Sequence, residues 1–111
     1  MSPAQQLKAQ MRGDLTGALK ARQVDEISVL RALLAAIDNA EAPDIRSETA
    51  RIHGASAEIE RLLLTEAELE EVLLADLRER ESAADELARV GQQERADALL
   101  RQAAIVRRYL G

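Results

Sequence analysis

Hydrophobic residues recur every three or four positions along most of this chain, which is the spacing of amphipathic helices. The strongest such stretch is residues 28–42. Together with Ile27 just before it, Leu30, Leu34 and Ile37 form an apolar stripe, which Val29, Leu33 and Ala36 widen. Arg31 is the one charged residue between Val29 and Ile37. The pattern predicts a helix over residues 26–41 that is buried on most sides, at the core of a bundle.

A first helix is predicted over residues 3–22. Ser2, Pro3 and Gln5 form a capping-box start, and an apolar residue follows every fourth position, at Leu7, Met11, Leu15 and Leu19. The link to the next helix is short and ends in Asp25, the predicted N-cap. So short a link predicts an antiparallel helical hairpin, which ends near residue 41 because Pro43 disfavours helical geometry before it.

Small residues form a line along the first helix at a spacing of four, namely Ala9, Gly13, Gly17 and Ala21. This line is typical of a face where a neighbouring backbone comes close or a partner docks. Plain tolerance of glycine explains it equally well, at a cost of about 1 kcal/mol for each glycine relative to alanine.

The sequence pattern in the second half of the chain predicts another helical hairpin. Thr65 and Glu68 form a capping box that opens a helix over residues 65–90, and Gly91 is placed to end it. A last helix over residues 92–110 has a heptad-like seam of Ala96, Leu99, Ala103, Val106 and Leu110. Residues 42–64 are expected to form a partly irregular crossover with short helices starting at Ser47 and Ser56.

The predicted fold is therefore all-α. Residues 1–111 form one domain, a small four-helix bundle of two antiparallel hairpins joined by the crossover. The composition agrees with this fold, because 47% of residues are hydrophobic while Phe, Trp and Cys are absent and Tyr109 is the single aromatic residue. Without cysteine there are no disulfides and no thiolate metal ligands. No stretch has the length and apolarity of a signal peptide or membrane span, so a cytoplasmic location is expected.

The net charge of −5 argues against general nucleic-acid binding, but the charge is uneven. The first 24 residues hold four cations, Lys8, Arg12, Lys20 and Arg22, against the single carboxylate of Asp14. These four residues predict a face for RNA or a protein partner. A solvated helix face accounts for them equally well.

The residues predict no catalytic, cofactor or metal site. His53 is the only histidine and lies in the irregular segment, whereas a di-iron bundle needs histidine on two helices. Glycine-rich phosphate-binding motifs are absent, and no small-molecule substrate is indicated. A binding function is therefore expected rather than an enzymatic one.

Two segments resemble the GatB/YqeY family, which occurs as the C-terminal domain of the B subunit of tRNA-dependent amidotransferases and as free-standing YqeY-type proteins. DLTGALKARQVDEISVLRALLAAIDNAEA (14–42) is similar to the family's N-terminal hairpin, with its V-L-R-x-x-x-A-A-I core. LTEAELEEVLLADLRERESAADELARVGQQERADALLRQAAIVRRYL (64–110) resembles the family's second pattern, from a T-E-x-E start to a Y-L end. The family's A-G-R turn is Val90-Gly91-Gln92 here, so its Arg is missing.

The resemblance implies a non-catalytic module that recognises tRNA, related to systems for glutamine-dependent amide transfer. Longer members continue with a further small helical subdomain, whereas this sequence ends at Gly111, so the resemblance implies the N-terminal helical subdomain only. The alternative is a helical protein-interaction or self-associating domain with no role in tRNA binding.

Two arginines are candidates for structural ion pairs between the hairpins. Arg31, set among apolar residues, needs a carboxylate partner or a path along which its side chain reaches water, and as the partner we expect Asp76 or Glu79 of the third helix. Arg80 of the third helix is expected to pair with Asp38 or Glu41.

Overall fold

The computed structural model describes residues 1–42 and 63–111, and this part of the chain contains four α-helices and no strand. The helices are α1 (Pro3–Ala21), α2 (Val24–Glu41), α3 (Glu66–Arg89) and α4 (Gln93–Arg107). The predicted all-α class is confirmed. Most of the predicted crossover, with Ser47, His53 and Ser56, lies outside the described residues.

Both predicted capping boxes are present. The Ser2 Oγ accepts a hydrogen bond from the backbone N–H of Gln5 at 3.1 Å, and the Gln5 side chain accepts one from the Ser2 N–H at 2.9 Å. Thr65 and Glu68 make the same reciprocal pair at the start of α3. Each box satisfies two backbone donors that would otherwise lack an intrahelical partner, which sets the first residue of each helix.

Both hairpins turn through a left-handed residue. Arg22 follows α1 at φ 57° and Gly91 follows α3 at φ 79°, and the next residue in each case bonds back to the carbonyl five positions earlier. This is the Schellman arrangement, which stops a helix and reverses the chain. The prediction that Asp25 caps α2 is wrong, because Gln23 holds the extended N-cap position and Asp25 already lies in the first turn.

Helix α2 is the central element, since it packs against α1, α3 and α4. Its fully buried stripe belongs to the same hydrophobic cluster as Met11 of α1 and leucines of α3. The largest fully buried side chains of the described residues are Met11, Val29, Leu30, Leu33, Ile37, Leu73 and Val106. Two residues of the predicted stripes, Leu19 and Val90, are instead exposed because they lie at the hairpin turns.

The small-residue line on α1 is not a packing face within the described residues. Ala9, Gly13, Gly17 and Ala21 are all exposed, and a Cβ placed on either glycine would meet no atom within 4 Å. The prediction that a neighbouring backbone approaches this line is therefore wrong for the described part of the chain.

We expect Gly13→Ala and Gly17→Ala each to raise the free energy of unfolding by about 0.5–1 kcal/mol, measured by urea denaturation. Alanine loses less backbone entropy on folding, and the space for its methyl group is open at both positions. Gly91→Ala is the matched control. It should destabilise the chain, because alanine is strained at the positive φ of that position. A loss of stability in the α1 variants would contradict this account.

Candidate functional site

The first cation of the predicted basic face is buried in an ion cluster between α1 and α2. Lys8 Nζ donates to Glu41 Oε1 at 2.5 Å and to Asp38 Oδ1 at 3.2 Å. Glu41 is only 2% exposed and Lys8 9%. Lys8 is therefore unavailable to an external ligand, and its place in the predicted face is wrong.

The predicted ion pairs of Arg31 and Arg80 are also wrong. Arg31 lies on the exposed side of α2, since the helix turns by about 100° per residue and carries it away from the buried side of Leu30. Arg80 Nε donates instead to Asp76 Oδ1 of its own helix at 2.6 Å, at the i,i+4 spacing. Asp38, the other expected carboxylate, belongs to the Lys8 cluster.

A chain of hydrogen bonds, here called the polar chain, joins three helices at the interface between the hairpins. Arg80 Nη1 donates to Gln102 Oε1 at 2.7 Å, and Gln102 Nε2 donates to Asp25 Oδ1 at 3.2 Å. Arg101 Nε completes the chain by donating to Asp25 Oδ2 at 3.2 Å. The hydrogen bond from Gln102, with the charge and hydrogen bond of Arg101, lowers the pKa of Asp25 although burial opposes this.

Two further contacts tie the first hairpin to the end of α4. Arg108 donates to Glu26 at 2.9 Å, and the Tyr109 hydroxyl donates to Asp14 Oδ2 at 2.5 Å. Burial and the nearby Asp14 carboxylate raise the pKa of Tyr109 above its usual range, so the hydroxyl keeps its proton for this bond. Sequence reasoning missed Tyr109 and Gln102, since a single polar residue on a helix gives no signal of its partner.

In the first hairpin the carboxylates have hydrogen-bond partners, whereas most of the cations form no ion pair in the described residues. All five of its carboxylates accept hydrogen bonds from Lys8 or from the second hairpin, namely Asp14, Asp25, Glu26, Asp38 and Glu41. Four exposed cations, here called the hairpin cations, form no ion pair within the described residues: Arg12, Lys20, Arg22 and Arg31. In the described residues, the cations of this hairpin that form no ion pair are therefore all exposed, although the whole chain is acidic.

An open cleft of about 380 Å³ lies between the N-terminal ends of α1 and α3 and the turn that follows α4. Its lining mixes apolar and polar side chains, including Gln6, Leu7, Glu66, Glu70, Leu73 and Leu110. Glu66 and Glu70 are exposed, whereas Leu73 is almost fully buried. The cleft is thus an acidic surface over an apolar base.

Neither surface carries a recognisable catalytic group. In residues 1–42 and 63–111, no three histidine, cysteine or carboxylate side chains are grouped so that they could hold a metal ion. Every fully buried side-chain nitrogen or oxygen in those residues has a hydrogen-bond partner. No helix in the described part is both long and apolar enough to cross a membrane.

Comparison with protein-family models, curated proteins and solved structures found no match for this chain, so the resemblance to the GatB/YqeY family stays a prediction.

Proposed function

We propose that this chain is a non-catalytic helical binding module whose first hairpin binds RNA. The observation that carries the proposal is the division of charge on that hairpin, where every carboxylate is engaged and the four hairpin cations are exposed without ion-pair partners among the described residues. The resemblance to the tRNA-recognising GatB/YqeY family supports tRNA as the RNA.

The charge division matters because phosphate binding depends on cations that are not already neutralised. Five of the seven arginines of the second hairpin lie within ion-pair distance of a carboxylate, namely Arg80, Arg89, Arg101, Arg107 and Arg108. A phosphate that approached them would compete with that carboxylate. Within residues 1–42 and 63–111 the hairpin cations meet no such competition, and each can release one counterion from the RNA backbone.

The proposed face differs from the predicted one in one of its four members. Lys8 is replaced by Arg31, which lies on α2, so the cations spread over both helices of the hairpin instead of following α1 alone. With Tyr109 half-buried and bonded to Asp14, no aromatic side chain is available for base stacking. Binding would therefore depend on the RNA backbone and its shape rather than on bases.

We expect Arg12→Glu/Arg31→Glu to abolish binding of unmodified tRNA in a gel-shift assay. For the unaltered chain, about four phosphate contacts should make affinity fall roughly a hundredfold between about 50 and 200 mM salt. Both arginines are exposed and have no ion-pair partner in the part of the chain that the structure describes, so the substitutions should leave the helical circular-dichroism signal unchanged.

The matched control is Arg78→Glu/Arg95→Glu, which changes the net charge equally through two exposed cations of the second hairpin. This control should retain most of the binding. Equal losses in both double variants would show that only net charge matters, and no shift at low salt for the unaltered chain would refute the proposal.

A further inference from the structure

The end of the bundle opposite the cleft carries a second distinctive surface, here called the hairpin tip. It comprises Leu19, Lys20, Arg22 and Val24 around the α1–α2 turn. Val24 is 76% exposed and Leu19 45%, and both cations point into solvent without an ion-pair partner in the described residues. The tip therefore combines two exposed aliphatic side chains with two positive charges.

The cleft has the complementary character. Glu66 and Glu70 place two exposed carboxylates one helical turn apart on α3. Beside them, Leu7 and Leu110 are half-buried and continue the apolar base formed by Leu73. A surface with two carboxylates beside aliphatic side chains matches a projection with two cations beside aliphatic side chains in both charge sign and polarity.

The two surfaces cannot meet within one molecule. Leu7 of α1 lies in the cleft wall, whereas Leu19 of the same helix lies at the tip, and twelve residues of helix separate them by about 18 Å. Helix α1 is continuous between them, so the distance is rigid. Any contact between tip and cleft must be made between two molecules.

We propose that the hairpin tip of one molecule docks into the cleft of a second copy, in a head-to-tail arrangement. Because the two surfaces differ, a pair of molecules still has one free tip and one free cleft, and association continues into short chains unless the rotation closes a ring. The tip presents few side chains, so the contact belongs to the small and transient class of interfaces. Its charge pairs make it sensitive to salt.

Sedimentation of the nucleic-acid-free protein tests this proposal. The weight-average mass should rise with concentration up to about 1 mM, a range that reaches weak protein contacts. The weight-average mass should be lower again in about 1 M salt, because the Debye length is then near 3 Å and the charge pairs are screened. A monomer at every concentration would overturn the proposal.

Charge-reversal variants test whether the hairpin tip and the cleft are the two surfaces that meet. Lys20→Glu/Arg22→Glu makes the tip acidic and Glu66→Lys/Glu70→Lys makes the cleft basic, so each variant alone should stay monomeric. Mixed in equal amounts, the two should associate again, because each then offers the charge that the other needs. Failure of the mixture to associate, with circular dichroism showing both variants helical, would overturn the proposed pairing.

A matched control is Glu79→Lys/Glu86→Lys, which reverses two exposed carboxylates of α3 away from the cleft. It should associate like the unaltered chain, and loss of association there would contradict a contact made by the cleft. The inference does not rest on RNA binding. Glu66→Lys/Glu70→Lys leaves every hairpin cation in place, so it should lose self-association and keep tRNA binding.

Discussion

We expect Lys8→Met to lower the free energy of unfolding by about 3 kcal/mol, the lower end of the range for breaking a buried ion pair. Methionine preserves the length and apolar stem of the side chain but removes the ammonium group 2.5 Å from Glu41 Oε1. The Glu41 side chain is only 3% exposed, so solvent cannot replace the lost cation. Urea denaturation of the purified variant measures the change.

Lys20→Met is the matched control, because it makes the same substitution in the same helix at an exposed position that forms no ion pair with the other described residues. Its effect should stay within about 0.5 kcal/mol. Similar losses for Lys8→Met and Lys20→Met would show that the cluster contributes nothing to stability.

Leu30→Ala should cost about 3 kcal/mol and lower the Tm by more than about 10 °C. Leu30 is fully buried at the centre of α2, the helix that packs against the other three. The core contains no Phe or Trp that could shift into the space, so a cavity should remain. Thermal denaturation followed by circular dichroism measures the loss.

Leu100→Ala is the comparison for this substitution, since Leu100 lies on α4 with 49% of its surface exposed. Removing the same atoms there should cost less than about 1 kcal/mol. If both variants melted at the same temperature, α2 would not be the centre of the core that its packing indicates.

The helices were predictable because each depends on interactions between residues that are close together in the sequence. The two capping boxes predicted the starts of α1 and α3, since a serine or threonine and a residue three positions later satisfy each other's backbone. The apolar spacing likewise predicted that Leu30, Leu33 and Ile37 would be buried, because a helix repeats every 3.6 residues. Asp25 was assigned as a cap only because nothing local shows that Gln102 and Arg101 bind its carboxylate.

The partners of charged residues needed the tertiary structure. Within one helix, the i,i+4 spacing of Asp76 and Arg80 was readable, but it gave no reason to prefer that pair over one between helices. Arg31 was predicted to be buried because its neighbours are apolar. The helix turns by about 100° from Leu30 to Arg31, however, and this turn places Arg31 on the exposed side. A rotation of that size is decided by which neighbour a helix packs against.

The sequence by itself determined that this chain forms amphipathic helices in two hairpins, because propensity, capping and periodicity act over a few residues. Only the tertiary structure decided which cations remain exposed. Lys8 forms ion pairs with Asp38 and Glu41, whereas Arg12 and Arg31 face solvent. All three are cations on predicted helices. Ion pairing depends on distances between residues far apart in the chain, and packing alone sets those distances.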